Sequence, residues 1–331
     1  MRPVIVVAFV LLIGTAAQAA GWRIETVPTP ARVDAIETVD GSVDVNAGGL
    51  WYRLMIGDKG PVLTFLDEGP KIERPEGALP DGHVAIGSGD IARAWLAEPT
   101  DRYDHGILGD KLEAGAVVIV RRDGAQQTVK LKPDTVFEDL KPRIVDLDGD
   151  GHDEVVLIKS SLTQGSSLAV IGLRKNRYEV VAETPALGAP HRWLDVAGIA
   201  DFTGAGNGNK QIALVRQPHV VGELQLWTYD GGRLRQRAAV PDAADHIAGT
   251  RAIDMDAVAD FDGDGVADLA VPSLDRTRLR FIGFTPQAHE IGSIALPAAA
   301  ATDMAVLADG AKPPVALGLA DGSLVVVRPA P

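Results

Sequence analysis

No cysteine occurs anywhere in the 331 residues. That excludes disulfides and a cysteine lipid anchor at a leader cleavage point, so stability has to come from packing, with or without a bound metal. Positive charge is also scarce: 32 Lys and Arg face 45 Asp and Glu, for a formal charge of −13. Such a balance argues against nucleic acid or an anionic membrane as partner and suits a chain that binds cations. Aromatic residues make up 5% of the chain, and the few Trp and Tyr fall mainly within apolar strand patterns, where they serve the core. The sequence contains no HExxH, no GxSxG and no phosphate-binding GxxxxGK[ST], so the common signatures of metallopeptidase, serine hydrolase and nucleotide chemistry are missing.

The longest apolar run is at the start. Arg2 precedes Val4–Ile13, and Ala17-Gln18-Ala19 follows. This order of positive, apolar and small-x-small segments predicts a secretory leader over 1–19, cut after Ala19. The run is shorter than the roughly 20 residues a membrane span needs. The expectation is a mature chain, 20–331, without a membrane span, monomeric, in the periplasm or outside the cell.

What the remainder has in abundance is Gly and Pro, 36 and 21 residues, between short runs rich in Val, Ile and Leu. That is a strand-and-turn composition. It also repeats. DLDGDGHDE (146–154) returns as DFDGDGVAD (260–268), and DFTGAGNGNKQIALV (201–215) is a worn copy between them. A strand precedes each acidic loop (RIVDL, VAGIADF, DAVADF) and another follows (EVVLI, QIALV, DLAVP). A third strand type recurs as LWYRLMIGDKG, GAVVIVRRDG, SSLAVIGLRKN, GELQLWTYDGG, TRLRFIGF and GSLVVVR. A fourth tends to end at Pro, as in YEVVAETP and HEIGSIALP.

Four antiparallel strands per repeat predict an all-β fold, a single β-propeller built from four-stranded blades. The six third-type strands give six blades; a seventh within 70–110 is the alternative. The chain ends after a third strand, and WRIETVP (22–28) reads as the fourth strand of that last blade, closing the propeller through the N-terminal strand.

These loops and their flanking strands resemble FG-GAP or VCBS repeats, known from integrin α-subunit propellers and many exported bacterial proteins. The resemblance is most specific over 140–272. It implies a propeller with calcium held between the first and second strands of a blade, and it implies no reaction.

The residues point to the same ion. Calcium takes six to eight oxygen ligands. Carboxylates stand at positions 1, 3, 5 and 9 of each intact loop: Asp146, Asp148, Asp150 and Glu154, then Asp260, Asp262, Asp264 and Asp268. Position 7, His152 or Val266, would offer its backbone carbonyl. An EF-hand would require a Glu at position 12, where Leu157 and Val271 stand. Two Ca2+ sites are expected. The middle loop keeps Asp201 but has Thr203, Ala205 and Asn209 in place of acids, so it is expected to keep the turn without the ion.

In a four-stranded meander the acidic loops leave one end, and the connections between second and third strands and between blades leave the other. Those connections carry Tyr103, His105, His191, Arg192, Trp193, His219, His246 and Arg251. His191, Arg192, Trp193, His219 and His246 form a candidate surface for a protein or glycan ligand. The reading that follows is an exported calcium-binding module without recognised catalysis. The alternative is a hydrolase or lyase acting on a polysaccharide or another polymer at that same face.

Overall fold

The computed structural model describes residues 21–330; the predicted leader lies outside them. Within the described residues the regular structure is entirely strand, with no α-helix, and no helix long and apolar enough to cross a membrane. Strand β1 (Trp22–Val27) comes first. Then β2 (Val33–Val39), β3 (Ser42–Ala47), β4 (Leu50–Gly57) and β5 (Gly60–Leu66) form an antiparallel meander. The next meander is β6 (Ala85–Ile86), β7 (Ile91–Thr100), β8 (Glu113–Arg121) and β9 (Gln126–Lys130). After the short β10 (Thr135–Phe137) come β11 (Arg143–Val145), β12 (Glu154–Ser161), β13 (Gly165–Arg174) and β14 (Arg177–Glu183). β10 pairs with both β8 and β12, joining two meanders into one sheet. The pattern continues with β15 (Leu194–Ala200), β16 (Gln211–Arg216), β17 (Glu223–Asp230) and β18 (Arg233–Val240). It repeats in β19 (Ala257–Ala259), β20 (Asp268–Pro272), β21 (Arg278–Gly283) and β22 (His289–Ala295). Last come β23 (Ala300–Val306), β24 (Val315–Leu319) and β25 (Leu324–Pro329), and β1 supplies their fourth strand, paired antiparallel to β25 from Trp22↔Pro329 to Val27↔Leu324.

The stretch 70–110, where a seventh blade was the alternative, holds β6 and β7, the first two strands of the sheet that β8 continues. The segment 67–84 contains no strand. Its Ala78 and Val84 cover Trp95, Ala97 and Val118 on that sheet.

Burial explains the sequence pattern. Most second and third strands are covered on both faces, β4 being the exposed exception, so β12, β13, β20 and β24 read as nearly unbroken apolar runs instead of alternating ones. Fourth strands such as β18 are mostly exposed, and their sequence is correspondingly polar. First strands sit side by side, β2 beside β23, β23 beside β19 and β19 beside β15, while β15 meets the second and third strands β12 and β13 of the preceding meander. Apolar layers fill the space between successive sheets. One joins β2–β5 to β23–β25, and another joins β15–β18 to β19–β22.

Trp22 ties the N-terminal strand into this packing. Its indole is 5% exposed and stacks on Phe281 of β21, with ring centroids 3.5 Å apart and planes 3° apart, while Phe261 meets it edge-on. β1 therefore holds both the edge of β25 and the face of the neighbouring sheet. Trp22→Ala should cost about 3–5 kcal/mol, as large-to-small changes in cores do. Denaturant unfolding measures this; a loss below about 1 kcal/mol would show that β1 is dispensable.

Candidate metal centres and a histidine layer

Each acidic loop begins by folding around its own first aspartate. Asp146 accepts from the N–H groups of Gly149 (2.8 Å) and Gly151 (3.0 Å). Asp260 accepts in the same way from Gly263 (2.6 Å) and Gly265 (2.9 Å). Gly151 and Gly265 both take φ 87°, a conformation that side chains disfavour, which is why the DGDG string recurs. The ninth residue closes the loop: Glu154 accepts from Leu147 N–H (3.0 Å) and Asp268 from Phe261 N–H (2.9 Å).

The result is two matching clusters. One carboxylate oxygen each from Asp146, Asp148 and Glu154 lies within 4.8 Å of the others, and so do oxygens of Asp260, Asp262 and Asp268. The residues fit a hard divalent cation such as calcium, for the Oδ1 of Asp148 is buried with no hydrogen-bond partner. Crowding has its electrostatic mark. Burial, with Asp148, Asp150 and Asp146 adding, pushes Glu154 up to about 7. Burial, with Asp262 and Asp264 adding, pushes Asp268 up to about 6.

Two of the expected ligands are turned elsewhere. Asp150 and Asp264 are outside the clusters and exposed. Asp150 accepts from His152 N–H and Asp264 from Val266 N–H, both at 2.8 Å, as side chains in tight turns do. The His152 ring is held by Asp90 at 3.0 Å. Val266 lies against Gly204, where a β-carbon would come within 2.7 Å of it. The middle loop keeps its turn: Asp201 accepts from Thr203, Ala205 and Gly206 N–H groups. It also touches both intact loops, since Asp148 bridges to Asn209 and Gly204 meets Val266. Lys210 adds a bond from its Nζ to the Asp146 carbonyl at 3.1 Å.

The connections at the other end bring the candidate ligand residues together, though in two states of burial. His191 and Arg192 are exposed, while Trp193 and His246 are buried at 3% and 0% exposure. Trp193 gives its indole N–H to the Glu138 carbonyl at 3.1 Å. It stacks on His219 with centroids 6.2 Å apart and meets His246 edge-on at 4.7 Å. His246 Nε2 lies 3.0 Å from the Thr250 carbonyl, and its Nδ1 lies 2.9 Å from His219 Nε2. A carbonyl can only accept, so Nε2 of His246 carries the proton. His219 then donates from Nε2 and keeps a free Nδ1 lone pair. Burial pushes His219 down to about 4, aided by Arg276 and His105, and His246 down to about 3.

Beside them His105 stacks on His191 with centroids 5.1 Å apart, and Tyr103 packs against both. His191 has φ 60° and gives its backbone N–H to the Tyr103 hydroxyl at 2.8 Å. Glu138, fully buried, orients His105 from below: Oε1 is 2.5 Å from His105 Nδ1, and Oε2 accepts from Ser160 and Ser166. Reading the sequence alone missed Glu138. It lies in FEDLKPRIVD, which looks like an ordinary loop. Only the pairing of β10 with β8 and β12 carries it beneath the histidines.

No protein-family model and no curated protein matches this sequence. Among solved structures the chain is similar to BBS1N, in a crystal structure of BBS1N in complex with ARL6DN soaked with mercury, with a TM-score of 0.44 and 10% identity, over 87% of this chain and 74% of that one.

Buried neutral histidines make stability depend on pH. His246 titrates near 3 in the fold and near 6.5 unfolded, so between those values the unfolded chain binds more protons. The contribution is complete above about 6.5 and is lost as pH falls toward the folded value. Opposing carboxylates mask this in the total, so the variant is compared with the parent. Between pH 7 and pH 5, His246→Gln should lose less stability than the parent in denaturant unfolding. Parallel losses would show that His246 is already protonated in the fold.

Proposed function

We propose that the chain is an exported, calcium-stiffened binding module of the FG-GAP or VCBS-repeat type, a six-bladed β-propeller closed through its N-terminal strand. The carrying observation is the recurrence of one carboxylate cluster, Asp146–Asp148–Glu154 and Asp260–Asp262–Asp268, at the same place in two sheets. Repeats with a common strand order support the propeller reading, and the β1–β25 pairing supports closure by the N-terminal strand.

In this reading calcium stiffens one end, and the opposite end takes a ligand. Asp146, Asp148 and Glu154, and their counterparts Asp260, Asp262 and Asp268, would hold the ions, while Asp150 and Asp264 shape the turns. The ion would supply charge neutralisation to carboxylates brought within 4.8 Å of one another. At the other end His191 and His219 offer accessible imidazole edges backed by Trp193 and His246, and Arg192 offers a cation at the rim. Such a surface suits a protein or glycan with anionic or hydroxyl groups.

A ligand that binds only the folded state stabilises it by mass action, by about 2.7 kcal/mol per site at free ligand one hundred times the dissociation constant. Chelator should therefore lower the melting temperature of the parent, and calcium should restore it. The double variant Asp148→Ala with Asp262→Ala should melt near the chelated parent and ignore added calcium. A parent melting curve indifferent to chelator would overturn the calcium reading.

A further inference from the structure

Three first strands, β2, β19 and β23, line an open cavity of about 1020 Å³ together with the segment 80–84. Acids outnumber bases on its lining, with Asp34, Glu37, Asp81, Asp254, Asp256 and Asp303 against Arg74, Lys141 and Arg251. An aspartate stands six residues before the first acid of the following loop at Asp34, Asp195, Asp254 and Asp303, counted to Asp40, Asp201, Asp260 and Asp309. Three of these four line the cavity, and Asp195 is buried at 1% exposure.

Two of the cavity's cations are already committed. Lys141 pairs with Asp254. Arg251 pairs with Asp81 at 2.9 Å and with Asp110 at 3.0 Å. Glu37 from β2, Asp256 just before β19 and Asp303 from β23 share the same cavity with no ion pair of their own. Asp303 only accepts a backbone N–H, from Asp254, at 2.9 Å.

Asp256 is the most telling of the three. It retains partial exposure, as a group facing an internal space does, yet its Oδ2 is shielded from solvent and has no hydrogen-bond partner. Burial, with Asp254, Asp245 and Asp195 adding, raises it well above the usual carboxylate range. Asp245 compounds the charge: it is 0% exposed and neither of its carboxylate oxygens has a partner. An unmatched buried carboxylate is costly unless something positive reaches it.

The walls between these acids are aliphatic, from Ile36, Ala257, Val258 and Met304. A bare metal ion would leave those walls and most of the volume unused. We propose that this cavity binds a linear aliphatic polyamine, whose ammonium groups meet Glu37, Asp256 and Asp303 and whose methylene stretches lie on the apolar walls. The combination of a roomy concave site, apolar lining and a few convergent charges is the usual make-up of a small-molecule site. This site is separate from the acidic loops and does not depend on calcium.

The test is calorimetric titration of the mature chain with spermidine at low ionic strength in excess calcium. Saturable one-to-one binding is expected, weaker for putrescine, and at least tenfold weaker in Asp256→Asn with Asp303→Asn. Glu37→Gln provides a second variant at a half-exposed position, where folding is secure, and should also weaken binding. The Asp148→Ala, Asp262→Ala protein should bind spermidine like the parent, which separates this proposal from the calcium reading. Absence of saturable binding, binding unchanged in both cavity variants, or displacement of spermidine by equimolar magnesium would overturn it.

Discussion

A strand that is apolar on both faces cannot end at a solvent boundary, and that constraint governs the whole molecule. The β12, β20 and β24 runs need a sheet above and a sheet below. A single meander cannot provide this, so each sheet depends on its neighbours. The last strand of each meander can be polar because it reaches the outside. The first strand can carry acids because it faces the shared interior. Packing between sheets thus sorts residues by strand type, and the sorting creates two specialised ends and one charged cavity.

The acidic loops follow from the same arrangement. The turn between first and second strands must reverse the chain tightly, and it does so around one aspartate satisfied by glycine N–H groups. Once Asp146 or Asp260 is fixed, the third residue of the loop and the residue starting the next strand are brought to it. Carboxylates gather as a by-product of the turn. The middle loop shows that turn and cluster are separable: Asp201 organises the same reversal with Thr203 and Asn209 in place of acids. It stands between the two charged loops, with Asn209 bridged to Asp148, Gly204 against Val266 and Lys210 bonded to the Asp146 carbonyl.

The strands were legible in the sequence because two-sided burial writes a simple pattern. Runs such as EVVLI and SSLAVIGL admit few other readings, and every third-type strand read from the sequence lies in one of β4, β8, β13, β17, β21 and β25. The first and last carboxylates of each loop were legible for a similar reason, since spacing sets their approach. Asp150 and Asp264 were not, because an exposed side chain is free to serve a nearby amide, and spacing cannot choose between amide and ion. The histidine layer was half legible. Topology put His191, Trp193, His219 and His246 at one end, but the sequence held no sign that Trp193 and His246 are sealed inside. Their burial comes from Glu138 and Thr250, whose carbonyls satisfy the indole and the imidazole. Short strands escaped notice too: β10 has three residues and no periodicity, yet it positions Glu138.

The aspartates that open the first strands were visible in the sequence, at a constant six residues before the next loop, but spacing alone gives them no role. A residue at that position could as well cap a turn at the surface, and Asp34 does accept an N–H from Gly48. The interior assigns the role. Where first strands converge, Asp34, Asp254 and Asp303 line one cavity together with Arg74, Lys141 and Arg251, while Asp195 is buried beside Arg143; Arg143 is held by Asp139 and Lys141 by Asp254. Moving the same acids to the outer strands would cost nothing in packing, because those strands are already exposed. Asp195, at 1% exposure, carries a desolvation penalty on its inner strand, whereas the side chains of Asp34 and Asp254 keep exposures of 48% and 41%. Apolar residues of similar size would fit the same inner positions, so the acids gathered at β2, β19 and β23 suit a cavity that meets positive charge, as the polyamine proposal requires.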